Sequence, residues 1–193
     1  MTNFLIIDNG TRHLRNLKQY LSKFGTVVRQ KPTEIDPKSV PRNTIIMLSG
    51  SRKIGLTRRN AKHYEKEMEL IKQHRGPLIG ICLGAQLIAH TYGSHLHAMQ
   101  KLHRGMQKIT DLNGETYRVY EAHQFSILKV KKPLQEIARS EDGVEIFRHR
   151  TKLIYGLQFH PEVYRSGDGR KILDEIMKNI IRKEKKRNAT TNQ

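Results

Sequence analysis

Apolar and polar positions alternate along the first half of the chain in a way that predicts strands and helices in turn. Short apolar runs, typical of buried strands, occupy residues 4–7, 26–29, 44–48 and 77–81. Between them, apolar side chains recur at three- and four-residue steps and predict helices over residues 14–21, about 59–72 and 85–92. Strands that alternate with helices imply a parallel sheet covered on both faces.

From Lys108 onward the pattern changes to shorter strands separated by turns, which favours hairpins or mixed pairing. These strands are predicted over residues 108–110, 117–120, 126–130, 144–147 and 153–157. Residues 168–185 return to a helical pattern, with a buried stripe of Ile172, Ile176, Ile180 and Ile181. We therefore expect an α/β fold with a mostly parallel central sheet flanked by helices on both faces. An additional small mixed or antiparallel strand region is expected in the C-terminal half.

The length of 193 residues suits one sizeable α/β domain. Residues 1–187 are expected to form it, and residues 188–193 to be a polar, frayed tail. No apolar run reaches the roughly 18 residues of a membrane span, and the N-terminus lacks the features of a secretory signal. The one cysteine cannot form an intrachain disulfide, which favours a cytoplasmic protein.

The charge balance is strongly basic, with 36 Lys and Arg against 18 Asp and Glu, a net charge of +18. Such a charge favours anionic partners. The basic residues are nevertheless spread along the chain and are dense only over residues 182–187. No zinc-finger spacing or RNA-binding aromatic motif accompanies them. We therefore expect a solvated surface that can dock on an acidic subunit, and we do not expect a nucleic-acid partner.

The segment Gly80-Ile81-Cys82-Leu83-Gly84 places the cysteine between a predicted strand and a predicted helix. Glycines two residues away on each side allow the tight, strained turn of a nucleophile elbow. The N-terminus of the following helix favours a thiolate, and the Leu83 N–H would face a developing oxyanion. The alternative is a buried structural cysteine with glycines used for packing.

A cysteine nucleophile needs a base and a group that orients the base. His160-Pro161-Glu162 follows a predicted strand and could supply both. Pro161 has no N–H and would prevent the strand from continuing. Taken alone, these three residues could equally be a surface turn, but their occurrence with the cysteine elbow favours a catalytic set.

In these two motifs the sequence resembles the class I, triad-type glutamine amidotransferases. Residues 80–86 match the family's nucleophile motif, residues 155–163 match its His/Glu motif, and the resemblance begins at residues 6–10. It implies that Cys82 is the nucleophile, that His160 is the general base and acid, and that Glu162 orients His160.

The resemblance also implies substrate contacts. The family's loop after the third strand commonly reads Ser-Gly-Gly-Pro, whereas here it reads Ser49-Gly50-Ser51-Arg52. Gly50 and Ser51 are expected to complete the oxyanion site with Leu83. A positive φ at Ser51 would cost roughly 1 kcal/mol of strain. The alternative for this segment is a simple flexible turn.

Further contacts are expected from Gln86, whose amide would hold the glutamine substrate one helical turn beyond the cysteine. His123 stands where relatives carry a histidine-containing segment, so the backbone of Gln124 and Phe125 is expected to grip the amino-acid end of the substrate. His95, His97 and His103 lie close in sequence, but no carboxylate or cysteine set accompanies them. No metal and no cofactor are therefore expected.

The expected function is hydrolysis of L-glutamine, with ammonia delivered to a separate synthetase subunit, since the chain ends soon after the His/Glu motif. The opening residues 7–10 and the length most resemble the glutaminase subunit of a two-subunit GMP synthetase. The alternative is the glutaminase component of anthranilate or aminodeoxychorismate synthase. Two other classes stay open: a basic binding or regulatory subunit with impaired catalysis, and an independent hydrolase of another γ-glutamyl substrate.

Overall fold

Nine strands and four α-helices make up the part of the chain that the computed structural model describes, residues 2–52, 55–57, 60–163, 165 and 167–191. The strands are β1 (Thr2–Ile7), β2 (Gly25–Gln30), β3 (Thr44–Leu48), β4 (Leu78–Ile81), β5 (Leu96–Asp111), β6 (Thr116–Ile127), β7 (Leu134–Arg139), β8 (Val144–His149) and β9 (Ile154–Leu157). The helices are α1 (Leu14–Leu21), α2 (Glu65–Gln73), α3 (Leu83–Thr91) and α4 (Gly169–Thr191). Short 3-10 turns cover Pro32–Glu34 and Ala61–Tyr64.

All nine strands join one sheet, in the order β2-β1-β3-β4-β9-β8-β7-β5-β6. The pairings from β2 to β9 are parallel, as the alternation of strands and helices predicts. The pairings from β9 to β6 are antiparallel. The α/β class is therefore confirmed. The sheet is mixed rather than mostly parallel, because its antiparallel part is as extensive as its parallel part.

The antiparallel part is larger than expected because β5 and β6 form a long hairpin. Their register runs from Leu96 opposite Ile127 to Thr110 opposite Thr116, with an irregularity between Ala98 and His103. The sequence pattern predicts strands only over residues 108–110 and 117–120 of this hairpin. It does not predict β7, whose sequence mixes polar and apolar residues without a clear two-residue period.

Two apolar clusters cover the two faces of the sheet. Strand β1 divides between them because successive side chains of a strand point to opposite faces: Phe4 and Ile6 join one cluster, and Leu5 and Ile7 the other. Helices α1 and α4 pack in the first cluster, and α2 and α3 in the second. This arrangement leaves the carboxyl ends of β1, β3, β4 and β9 at one edge of the sheet, where α/β proteins commonly bind ligands.

Two helix boundaries differ from the expected ones. Helix α4 continues to Thr191, so most of the segment expected to be a frayed tail lies within the helix. Helix α2 begins at Glu65 after a 3-10 turn, and the predicted start at Arg59 lies outside the described residues. No helix of the described ranges combines the length and the apolar character that crossing a membrane requires.

Candidate active site

Cys82 lies on a strained turn between the end of β4 and the start of α3. Its φ is 51°, and among the described residues it is the one non-glycine residue with a positive φ. The left-handed region is costly for a residue with a β-carbon, and such strain concentrates at functional sites. The Cys82 N–H donates a 2.8 Å hydrogen bond to the Leu157 carbonyl, which ties the turn to β9.

The two flanking glycines permit the close packing that the turn requires. A β-carbon at Gly80 would lie 2.4 Å from the carbonyl carbon of Gly84. A β-carbon at Gly84 would lie 2.3 Å from the Leu48 carbonyl oxygen at the end of β3. Neither contact is possible for a larger residue without moving backbone, so these glycines bring α3, β3 and β4 together beneath the cysteine.

His160 and Glu162 form a buried pair beside the cysteine. His160 Nδ1 lies 2.9 Å from Glu162 Oε1, and both side chains are almost fully buried. Burial favours the neutral imidazole, but the negative charges of Glu162 and Cys82, and hydrogen bonds to both, raise the pKa of His160 well above its usual value. The site therefore favours an imidazolium between the carboxylate and the sulfur.

The loop after β3 contacts both the histidine and the cysteine. A β-carbon at Gly50 would lie 2.9 Å from His160 Cε1 and 3.4 Å from Cys82 Cβ. The backbone of Gly50 therefore passes directly over the reactive groups. The strain expected at Ser51 is absent, since its φ is not positive. Serine is accommodated there without a backbone penalty.

A buried polar network that the sequence motifs did not indicate holds this loop in place. The Asn9 backbone N–H donates a 2.9 Å bond to Ser49 Oγ, and the Asn9 side-chain amide donates to the Ser49 carbonyl at 3.1 Å and to Glu67 Oε1 at 3.0 Å. Burial raises the pKa of Glu67 to about 7, against the opposing effect of the bond from Asn9. The signal available in the sequence was a glutamate on the apolar face of α2.

Gln86 faces the same region from the first turn of α3. Its amide nitrogen donates to the Phe125 carbonyl at 2.9 Å and to Gln158 Oε1 at 3.4 Å, while its Oε1 is buried and has no partner among the described residues. The Gln158 amide lies 3.9 Å from Cys82 Sγ. Gln158 is a neighbour of the nucleophile to which the motifs assigned no role.

These groups open onto a cleft of about 360 Å³. Seven of the nine predicted site residues line it: Ser51, Cys82, Leu83, Gln86, Gln124, Phe125 and His160. Gly50 and Glu162 lie behind this first layer, where they contact His160.

The opposite wall of the cleft includes residues that the motifs did not indicate. Arg12 and His13 come from the turn after β1, and Arg104 comes from β5. The His13 ring packs edge-on against the His160 ring, with the centroids 5.8 Å apart. Desolvation by burial lowers the pKa of His13, against the opposing charge of Glu162, so His13 favours the neutral form. The two arginines add positive charge near the expected carboxylate end of a substrate.

His123 lines the cleft, but its ring also reaches a second set of polar groups. His123 Nε2 lies 2.9 Å from Glu121 Oε2, and His103 Nδ1 lies 2.6 Å from Asp142 Oδ2. The sequence showed no carboxylates close to His103, whereas the fold brings them there from β6 and from the turn before β8. His95 and His97 are exposed and lie outside this set.

Comparison with known proteins identifies the family. The profile of the family described as glutamine amidotransferase class-I matches residues 5–180. The chain belongs to this family, and it is a glutamine amidotransferase.

Its relatives include stand-alone subunits of GMP synthase that are named as glutamine-hydrolyzing. The chain is 30% identical to the one from Methanocaldococcus jannaschii, over 90% of this chain and 95% of that protein. It is 29% identical to the protein of the same name from Pyrococcus furiosus, over 90% of this chain and 96% of that protein.

Solved structures share the fold. A crystal structure from Thermoplasma acidophilum superposes with a TM-score of 0.83 at 24% identity, covering 100% of this chain and 98% of the other. A glutamine amidotransferase from Thermotoga maritima superposes with a TM-score of 0.69 at 17% identity, covering 96% and 86%.

Proposed function

We propose that this chain is the glutaminase subunit of a two-subunit GMP synthetase, with Cys82, His160 and Glu162 as its catalytic triad. One observation carries the catalytic assignment. The cysteine occupies a positive-φ elbow at a helix N-terminus, and a buried histidine–glutamate pair lies beside it. A structural cysteine would require neither the strained turn nor the oriented imidazole.

The reaction begins when the Cys82 thiolate attacks the side-chain amide carbon of glutamine. Its negative charge passes to the amide oxygen in a tetrahedral intermediate. His160, held as imidazolium by Glu162, protonates the amide nitrogen, which leaves as ammonia when the C–N bond breaks. The product is a γ-glutamyl thioester on Cys82. The neutral His160 then takes a proton from water, whose hydroxide breaks the C–S bond and releases glutamate.

The oxyanion is stabilised by backbone N–H groups of Leu83 and of the Gly50-Ser51 loop. Support comes from the position of Leu83 at the start of α3 and from the proximity of Gly50 to His160. The helix N-terminus adds a favourable electrostatic contribution.

The rest of the substrate is held across the cleft. The Gln86 side chain and the backbone of Gln124 and Phe125 bind the amino-acid part of glutamine. The bond from Gln86 to the Phe125 carbonyl supports this arrangement because it joins α3 to the β6 segment that lines the cleft. Arg12 and Arg104 provide positive charge at the cleft for the α-carboxylate.

The ammonia acceptor is on a separate synthetase subunit that forms GMP. Support comes from the names of the relatives, which are GMP synthase subunits that this chain matches along nearly its whole length. A cytoplasmic location agrees with this role and with a free cysteine.

A reconstitution experiment tests the assignment. The chain is mixed with the candidate GMP-forming subunit from the same genome, and GMP is measured with glutamine or with ammonium as nitrogen source. Glutamine should support GMP formation only when this chain is present, whereas ammonium should support it without the chain. An anthranilate-forming synthase serves as the control partner. Glutamine-dependent product with that partner and none with the GMP-forming subunit would overturn the assignment.

A further inference from the structure

A second cluster of ionisable side chains lies beside the cleft. It consists of His103 on β5, Glu121 and His123 on β6, Asp142 in the turn before β8, and Glu145 on β8, and it is termed the Glu121 cluster below. His103 and His123 are directly opposite each other in the hairpin, and their rings stack with centroids 6.0 Å apart. No step of the proposed glutaminase reaction uses its carboxylates.

Glu121 is the centre of the cluster. Its Oε2 lies 2.9 Å from His123 Nε2 and 3.9 Å from His103 Nδ1. Two trios of potential ligand atoms share it, His103–Glu121–Asp142 and Glu121–His123–Glu145. Within each trio the ligand atoms lie within 4.8 Å of one another. Nitrogen and oxygen ligands about 2.0–2.2 Å from one ion are separated by comparable distances, so little movement is needed for coordination.

Three polar atoms of this cluster have no protein partner among the described residues, although they are fully buried. They are Glu121 Oε1, His123 Nδ1 and Glu145 Oε2, on residues exposed by 0%, 3% and 1%. Buried polar atoms are nearly always paired, and an unpaired carboxylate oxygen in a dry interior is costly. These atoms therefore point to a missing positively charged partner.

The charges of the cluster lead to the same conclusion. Burial raises the pKa of Glu121 to about 7 and raises that of Glu145 well above its usual value, and the negative charge of Glu121 adds to the effect on Glu145. Two adjacent buried carboxylates repel each other when both are ionised. A bound dication would remove this repulsion, whereas a shared proton neutralises only one of the two charges.

We propose that the Glu121 cluster binds one divalent transition-metal ion, with Glu121 as the shared ligand and with imidazole and carboxylate ligands from its neighbours. Mixed nitrogen and oxygen ligands suit Zn²⁺, Mn²⁺ or Fe²⁺ better than the all-oxygen sites of Mg²⁺ and Ca²⁺. The side chains of His103 and Asp142 are 23% and 22% exposed and provide a route from solvent. Because Glu121 and His123 precede Gln124 and Phe125 on β6, the ion would fix the strand segment that lines the cleft.

The site is tested on the untagged full-length chain after removal of metals with a chelator. Zn²⁺ binding is measured by calorimetry and by metal analysis after gel filtration. We expect roughly one ion per chain. When free Zn²⁺ exceeds its Kd about 100-fold, the melting temperature should rise by roughly 5–10 °C. Co²⁺ is used as a spectroscopic probe, which should show d–d bands and no thiolate charge-transfer band.

Matched variants separate this site from other zinc-binding groups. Glu121→Gln should abolish stoichiometric binding, and Glu145→Gln should weaken it at least about 10-fold. His97→Ala removes an exposed histidine of the same strand and should leave binding unchanged, as should Cys82→Ala. Circular dichroism checks that each variant is folded.

Three results would overturn the proposal: no stoichiometric binding to the wild type, binding that persists in folded Glu121→Gln, or a thiolate band that disappears with Cys82→Ala. If Glu121→Gln does not fold, the wild-type stoichiometry and the Co²⁺ spectrum still decide the question. The test is independent of glutaminase activity.

Discussion

A β-carbon added to Gly50 would lie 2.9 Å from Cε1 of His160. The loop after β3 therefore touches the proposed general base from the side opposite Glu162. The backbone that is proposed to bind the oxyanion and the imidazole that is proposed to transfer the proton are held against each other. A small displacement of either group should affect catalysis more than stability.

Gly50→Ala should lower kcat for glutamine hydrolysis by roughly 10- to 100-fold, because the methyl group displaces His160 or the loop. Steady-state ammonia release measures this. The control is Gly114→Ala in the β5–β6 turn, where φ is +86° and no atom lies within 4 Å of the added carbon. That variant should lose about 1 kcal/mol of stability and keep its kcat. Equal losses of activity in both variants would contradict the proposed geometry.

Glu162→Gln should lower kcat by roughly 10²-fold or more and should shift the pH profile. Burial opposes the imidazolium, and Glu162 is the first of the groups that raise the pKa of His160 above its usual value. Activity that needs protonated His160 is lost as pH rises through this pKa. Removing the charge lowers the pKa, so the alkaline limb should move to lower pH. Glu175→Gln, at an exposed glutamate of α4, should move neither the limb nor kcat.

Gln86→Glu should raise KM for glutamine by about 10-fold or more with a smaller effect on kcat, because it replaces the donor that bonds the Phe125 carbonyl with an acceptor. The new carboxylate would face the Phe125 carbonyl and Gln158 Oε1. Gln73→Glu on the exposed side of α2 is the matched control. An unchanged KM in Gln86→Glu would argue against a substrate role for this residue.

Glu67 should make stability depend on pH. Its pKa is about 7 in the folded chain and 4.5 in the reference state, so the folded state binds more protons between these values. Stability is therefore highest below pH 4.5 and falls as pH rises towards 7, by up to roughly 3 kcal/mol from this group. Urea unfolding at several pH values should show a flatter dependence for Glu67→Gln, which retains an acceptor for Asn9. Glu69→Gln, exposed on the same helix, should keep the wild-type slope.

The parallel half of the fold could be predicted because its signals are local. Residues 44–48 and 77–81 form continuous apolar runs, and β3 and β4 are buried on both faces. The antiparallel half could not be delimited in this way. Strand β5 is largely half-exposed or exposed, so its two-residue pattern is weak, and its pairing with β6 depends on tertiary contacts.

The same distinction applies to the site. The cysteine elbow and the His/Glu motif are short and could be recognised in the sequence, and the fold brings them together. Glu67 and Glu121 could not be assigned from the sequence, since their partners lie on other elements. Asn9, for example, is 58 positions from Glu67. A buried glutamate is evident only when the elements around it are in place.

The proposed mechanism requires that Cys82 form a covalent bond to the γ-carbonyl carbon of glutamine. The most direct measurement is the intact mass of the chain, quenched in acid during turnover with glutamine in the presence of its synthetase partner. We predict a fraction of chains heavier by one γ-glutamyl group, located on Cys82 by peptide mapping and absent in Cys82→Ala. Ammonia release that continues at the wild-type rate in folded Cys82→Ala would contradict the mechanism.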